Sequence, residues 1–311
     1  MAGRTYWQFA RTCSSPSVRQ LYPTEDACRQ SIFAHRWPNG FVCPRCGHRQ
    51  AWQLRRRSLY ECAACQYQVS LTAGTIFHNS RTDLRTWFLA IWLFASTKKA
   101  PSAAELARQL GVTAKTARLV RRKITYAMAR REGELLLRGI VELDEGFVGG
   151  KHRGPRSRGR RQPHKTMVAV AAEQTPRGLG RAHLRIVEDA SAESLTAAAR
   201  STIAAGGIVQ TDGWSGYAGL ASAGYGHRSC ALPTGADIDA WLPFSHIVLS
   251  NFKRWTLDAF HGVSAAHLQA YLDEFCYRLN RRSQRQDLFR RILNRCLLYT
   301  QPVTYALLTG A

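Results

Sequence analysis

Residues 140–148 read Ile-Val-Glu-Leu-Asp-Glu-Gly-Phe-Val, a strand-like run with Asp144 near its centre. A carboxylate inside an apolar strand is costly unless it is paired or holds a metal ion. By strand alternation Glu142 shares the face of Asp144, and Glu145 points the other way. A second apolar run, Ile208–Thr211, ends at Asp212 and opens the stretch Asp-Gly-Trp-Ser-Gly-Tyr over 212–217. Two such carboxylates on neighbouring strands could hold Mg²⁺ and polarise a phosphodiester. The plainer readings are a turn at Asp212-Gly213 and a strand-end ion pair at Asp144. Glu142 is a possible extra acid.

Between these runs the pattern predicts strands over Thr166–Ala172 and His183–Val187, then a helix over Ser191–Ala205 capped by Ser191. Residues 213–245 are turn-rich and resist assignment. Helices are expected over Ser264–Arg282 and Gln286–Leu298. Three strands, a helix, a strand and then helices make a mixed α/β domain. The stretch 245–255 contains neither Asp nor Glu. His246 and Asn251 are its candidate third ligands, and Lys253 and Arg254 its candidate phosphate contacts. Glu274 is the alternative acid downstream, weighed against an i to i+4 ion pair with Arg278. Residues 151–165 hold seven Lys/Arg and no acid. They are expected to form a mobile basic loop, with Lys151 and Arg153 among the phosphate contacts.

Upstream, residues 102–122 suggest two helices broken at Gly111, with Ser102 and Glu105 in capping-box spacing and Thr113 capping the second helix. Leu106, Leu110, Val112, Ala117 and Val120 mark a buried face. Lys115, Arg118, Arg121 and Arg122 are expected on the exposed side, suited to the major groove and its phosphates. An ordinary helical hairpin is the alternative. Asp83 can cap a helix over Leu84–Ala95. Gly133 and Gly139 bracket a domain boundary.

Further upstream, Cys43-x2-Cys46 and Cys62-x2-Cys65 are separated by fifteen residues. Each pair can sit on a tight turn, and two turns complete a tetrahedral S₄ shell for Zn²⁺. Four protein ligands leave no open position, so the zinc is structural. Gly47 permits the left-handed conformation that the first turn needs. The intervening Trp-Gln-Leu-Arg-Arg-Arg-Ser-Leu-Tyr alternates aromatic and basic residues, as a hairpin touching a phosphate backbone would. The other cysteines, Cys13, Cys28, Cys230, Cys276 and Cys296, read as small core residues.

The whole chain supports this picture. It has 311 residues, 44 Lys+Arg against 21 Asp+Glu, and a formal net charge of +23. Self-repulsion at that charge favours a polyanionic partner, and nucleic acid fits best. The longest strongly apolar run, Trp87–Ala95, is far short of the ~20 residues a bilayer span needs. No signal-peptide core is read in the first ten residues, so a cytosolic location is expected.

Taken together, the blocks FVCPRCG, YECAACQ, SLTAGTIFH, VELDEGFVGGK, VQTDGWSGY and HIVLSNFKRW through YLDEFCYRLNRR resemble a known family over most of residues 30–285. It is the zinc-ribbon DDE-type insertion-sequence transposases of bacteria, the ISXO-like branch. The resemblance implies a ribonuclease-H-like mixed-sheet catalytic domain over 135–300, preceded by a helical lead-in over 1–40, a zinc ribbon over 41–75 and a helix-turn-helix region over 82–132. A fragment 135–311 is accordingly expected to fold alone. Asp144 and Asp212 match the first two catalytic acids. His246, or Asn251, falls at the third position, and Lys253 matches the family's lysine. The implied cofactors are structural Zn²⁺ and catalytic Mg²⁺ or Mn²⁺. The implied partners are DNA (terminal repeats and target) and further copies of the chain, in the bacterial cytoplasm on the nucleoid. A DNA-binding regulator with a silent catalytic domain and a nuclease without strand transfer are the competing readings.

Overall fold

The computed structural model describes residues 18–54, 59–149, 165–230, 238–260, 263–298, 303–304 and 307–308. Lys151, Arg153 and the rest of the 150–164 stretch, Arg55–Arg57 and Cys13 lie outside the described residues. The chain divides into two units, Met1–Ala127 with Ser283–Ala311, and Met128–Arg282.

The first unit begins with α1 (Val18–Leu21) and α2 (Glu25–Arg36). A three-stranded antiparallel sheet follows, β1 (Ala51–Leu54), β2 (Leu59–Cys62) and β3 (Gln68–Ser70). Its inner face is aromatic: Tyr60 packs against Phe33, Trp37 and Phe41. Arg36 donates to the carbonyls of Ser70, Leu71 and Ala73, so one cation gathers the chain leaving β3. Helix α3 (Leu84–Ser96) is capped by Asp83, and its first amides, Leu84 and Arg85, also donate to Glu25. Most of its apolar residues, Trp87, Phe88, Ile91 and Phe94 among them, are buried core. Among the described residues no helix is long and apolar enough to cross a membrane.

Helix α4 (Ala103–Leu110) starts at the Ser102 cap and ends at Gly111, whose φ of 66° lies in the left-handed region. Thr113 Oγ1 accepts from the Thr116 amide at the start of α5 (Ala114–Gly133). Two short helices are not what forms: α5 runs for 20 residues. Leu106, Ala117 and Val120 are buried, whereas Leu110 and Val112 are only half-buried.

The second unit is built on β4 (Ile140–Val148), β5 (Thr166–Thr175), β6 (Gly178–Ile186), α6 (Ala192–Thr202), β7 (Ile208–Asp212), α7 (Gly219–Ser222) and β8 (Gly226–Cys230). Helices α8 (Ile238–Trp241), α9 (Pro243–Phe260) and α10 (Leu268–Leu279) complete it. The strand order is β6-β5-β4-β7-β8, antiparallel on the β5 and β6 side and parallel from β4 through β7 to β8. This is the mixed α/β sheet expected of a ribonuclease-H-like domain. One face packs on α6 through Val141, Leu143, Val209, Leu195, Ala199 and Tyr217. The edge strand β6 is covered by α10. There Gln269 and Asn280 pair their side-chain amides with the backbone of Leu184, Ile186 and Ala182, satisfying groups an open edge would expose.

The C-terminal segment corrects the expected domain boundary. Helix α11 (Leu288–Leu297) belongs to the first unit, not to a catalytic domain reaching residue 300. Phe289 packs on Tyr22 and Phe88, and the Ile76 amide donates to the Cys296 carbonyl. A fragment 135–311 would therefore carry α11 away from the surface that buries its apolar face.

Candidate catalytic centre and zinc ribbon

Strands β4 and β7 pair in parallel as Ile140 with Ile208, Val141 with Val209 and Glu142 with Gln210. Carried two residues further, that offset sets Asp144 level with Asp212 on one face of the sheet. Asp144 Oδ1 accepts the Glu145 amide, and Asp212 Oδ1 accepts the Trp214 amide. Helix α9 crosses the same face. His246 Nε2 stands 3.2 Å from Asp144 Oδ2.

Glu142 explains why α9 sits there. Its side chain is fully buried, and Oε2 accepts the amides of Phe244 and Ser245 while Oε1 accepts Gln174 Nε2. A helix presents unsatisfied amides and positive potential at its N-terminus, so a carboxylate there is stabilising. Burial pushes the Glu142 carboxyl up, with these hydrogen bonds opposing it. Glu142 shares Asp144's face as expected, yet its oxygens are spent on α9. It is an anchor rather than an extra metal-binding acid. Trp241 adds a second tie, donating to the Thr211 carbonyl and accepting from Gln210.

Two further candidates are displaced. Asn251 lies five residues beyond His246, about 140° round the helix, away from the face that meets Asp144. Glu274 lies on α10 beside the far edge of the sheet, buried and ion-paired with Arg278 at 3.2 Å. Lys253, two turns after His246, shares its face. Partial desolvation and the neighbouring Lys165 hold the Lys253 ammonium below its usual range, with Asp144 pulling the other way. The only mark Lys165 carries in the sequence is its place at the end of the basic run 151–165. Arg254 is exposed beside Lys253.

On the opposite face, the buried Tyr217 hydroxyl donates to Glu145 Oε2. Burial pushes that phenol far up, and the charges of Glu145, Asp144 and Asp212 add to the effect. Nothing but its place five residues after Asp212 marked Tyr217 in the sequence.

The chemistry of the Asp144 and Asp212 donors suits a hard divalent cation. Two donors ~2.1 Å from one ion and at right angles stand ~3.0 Å apart, close to the Asp144–His246 separation. Asp212 does not close with them into a group whose donors all lie within 4.8 Å of one another. Among the described residues only Cys43, Cys46, Cys62 and Cys65 form such a group of three or more.

That four-cysteine group has zinc geometry. Cys43 and Cys65 sulfurs are 3.7 Å apart, and those of Cys46 and Cys62 are 3.6 Å apart. Four thiolates ~2.3 Å from one tetrahedral ion would stand ~3.8 Å apart. Each pair sits on a turn closed by a backbone hydrogen bond, the Gly47 N–H donating to the Cys43 carbonyl and the Gln66 N–H to the Cys62 carbonyl. Both turns need positive φ, 75° at Gly47 and 58° at Gln66. The outer face of the ribbon carries Trp52, 68% exposed. Cys28, Cys276 and Cys296 are buried as expected, whereas Cys230 is only half-buried at the end of β8.

On α5, Lys115 and Arg118 are exposed and Arg122 half-buried. Arg121 departs from expectation: it is buried, and its Nε donates to the Pro101 carbonyl. Residue 121 lies about 120° round the helix from residue 115, which turns it inward.

A mixed five-stranded sheet with a carboxylate on each of two adjacent strands, joined to a four-cysteine ribbon, defines a ribonuclease-H-like α/β protein with an attached zinc ribbon. Within that class the chain carries both domains of a zinc-ribbon insertion-sequence transposase, the larger one of the ISXO2-like group. The ISXO2-like transposase domain matches residues 136–280, and the transposase zinc-ribbon domain matches residues 23–68. An uncharacterized protein in transposable element ISH50 of Halobacterium salinarum is 27% identical over 286 residues, covering 82% of this chain and 88% of its own length. Two solved structures, a pre-cleavage Mos1 transpososome and a Mos1 strand transfer complex, share 14% and 15% identity. Each covers 68% of this chain, with 79% and 76% of their own lengths and TM-scores of 0.26 and 0.27, an overlap too loose to speak for this fold.

Proposed function

We propose that this transposase cleaves DNA at the ends of its element and joins the freed 3′-hydroxyl to target DNA. The observation that carries the reading is the β4–β7 register, which levels Asp144 with Asp212, together with His246 docked on Asp144. Asp144 and Asp212 are the residues that would hold Mg²⁺ or Mn²⁺, with His246 rather than Asn251 or Glu274 as the third donor. Such an ion, when bound, supplies Lewis-acid stabilisation of charge on the phosphodiester oxygens. The chain's own contribution is positioning, because phosphoryl transfer asks little covalent chemistry of the protein. Lys253 and Lys165 lie where they can neutralise a phosphate beside Asp144, and Arg254 flanks them. Lys115, Arg118 and Arg122 are the candidate groove and backbone contacts of the helix-turn-helix, without Arg121. Lys151 and Arg153 remain candidates on sequence grounds. The zinc ribbon grips the terminal repeats. Pairing of two ends requires more than one copy of the chain, working on the nucleoid of a bacterial cytoplasm.

The test incubates purified protein with terminal-repeat DNA and Mg²⁺ or Mn²⁺. Cleaved and joined products that vanish in Asp144→Ala and Asp212→Ala support the proposal. Specific binding without cleavage in either metal would make the chain a regulator. Cleavage without joining would make it a nuclease.

A further inference from the structure

We infer that the two glutamates flanking Asp144 are positioning residues that assemble the metal site from a single strand. This rests on the reading of Asp144 and Asp212 as the metal-holding pair. Residues 142–145 read Glu-Leu-Asp-Glu, and the three acids have three different surroundings. Asp144, at the centre, keeps one carboxylate oxygen toward His246. Glu142, two residues before it on the same face, fixes the N-terminus of α9 through the Phe244 and Ser245 amides. His246 is the next residue, so that anchor sets how far the imidazole reaches toward Asp144.

Glu145 works on the other face. It accepts the hydroxyl of Tyr217, which closes the 3-10 turn Ser215–Tyr217 just beyond Asp212. The same loop is pinned at two more points, Trp214 N to Asp212 Oδ1 and Trp214 Nε1 to the Ala190 carbonyl. The Tyr217–Glu145 bond is thus a direct side-chain tie from the Asp212 loop to the residue next to Asp144. Glu142 sets one arm of the site and Glu145, through Tyr217, sets the other. Neither glutamate needs to touch the ion. Groups of this kind commonly control metal affinity by orienting the donors.

The test uses the zinc-loaded full-length protein. Mn²⁺ binding is followed by loss of the free-ion electron paramagnetic resonance signal, and end cleavage is measured against Mn²⁺ concentration. Tyr217→Phe and Glu142→Leu, which removes the acceptor of the Phe244 and Ser245 amides, are each expected to weaken Mn²⁺ binding about tenfold, with cleavage recovering as Mn²⁺ is raised. A purely structural loss would show no such recovery. Glu145→Leu removes the acceptor of the Tyr217 hydroxyl and should weaken binding to a similar degree, which keeps the inference testable if Tyr217→Phe does not fold. Asp144→Asn should abolish binding. If Asp144→Asn bound Mn²⁺ normally, the reading of the metal pair would fail and take this inference with it. If Asp144→Asn lost Mn²⁺ while the folded Glu142 and Tyr217 or Glu145 variants bound within about twofold of wild type, the positioning roles would be wrong and the metal pair would stand.

Discussion

Gly146 on β4 faces Leu249 on α9: a Cβ added at Gly146 would overlap Leu249 Cδ2. Leu249 lies three residues beyond His246, so this close approach and the Glu142 anchor hold the same stretch of helix against the strand that carries Asp144. Leu249 is buried, which limits how far its methyl can swing away.

Gly146→Val is therefore expected to push the first turns of α9 off β4. The cost in stability should be about 1–3 kcal/mol, the range for overpacking a filled site. Cleavage should fall further than stability alone explains, because His246 moves with the helix. Urea unfolding and end cleavage at a temperature where the variant is folded check this. Full activity in a folded Gly146→Val protein would show that α9's approach is not critical.

The two strand carboxylates were legible because one apolar run surrounds Asp144 and another ends at Asp212. Helix α9 was not, and the reason is local. It begins inside the turn-rich stretch 213–245, whose described residues before it form the 3-10 turn Ser215–Tyr217, two four-residue helices and β8. Strand β8 reads Gly-His-Arg-Ser-Cys and sits at the sheet edge, so it carries no apolar alternation to recognise. Only the fold reveals that Glu142 caps a helix a hundred residues later in the chain. The second zinc turn was half-hidden for a similar reason: Gly47 announces positive φ, but Gln66 does not. Arg121 misled because charge, not helical phase, suggested its exposure.

Glu274 separates a structural acid from a catalytic one. It is buried against Arg278, and both side chains are withdrawn from solvent. Removing one partner leaves an uncompensated buried charge, so Glu274→Ala should destabilise the protein by about 3–5 kcal/mol. The folded fraction should still cleave terminal DNA at the wild-type rate. Chemical denaturation paired with an active-fraction-corrected cleavage assay decides it. A stable but inactive Glu274→Gln protein would return Glu274 to the catalytic set.

His183 gives the second unit a pH-sensitive point away from the acid pair. It is 2% exposed on β6, and its Nε2 meets the Leu135 carbonyl. Burial holds the imidazole below its ordinary 6.5, while Glu132 and the Leu135 carbonyl oppose that shift. Because the folded value is the lower one, the unfolded chain takes up the proton first as pH falls. The stability this neutral, buried histidine contributes is complete above about pH 6.5 and declines as pH drops toward the folded value. His183→Gln retains a donor for the carbonyl and removes the titration. The difference between wild-type and variant unfolding free energies should change with pH below about 6.5 and stay flat above it. A difference independent of pH would place the proton elsewhere.

The ribbon cysteines offer the sharpest compositional test. Sulfur separations of 3.6 and 3.7 Å already match a tetrahedral thiolate shell. Purified protein should release one zinc per chain on thiol modification, as four ligands to one ion require. Cys43→Ser and Cys62→Ser should each lose that zinc, and Cys230→Ser, at the end of β8, should keep it. Metal binding in such small modules supplies the folding free energy itself. Zinc loss should therefore expose the ribbon to proteolysis between residues 41 and 75 before the rest of the chain is cut, and terminal-repeat binding should weaken in step. Zinc-free Cys62→Ser protein that binds terminal DNA as tightly as wild type would leave the ribbon a structural module and move the gripping role to the Lys115, Arg118 and Arg122 face of α5.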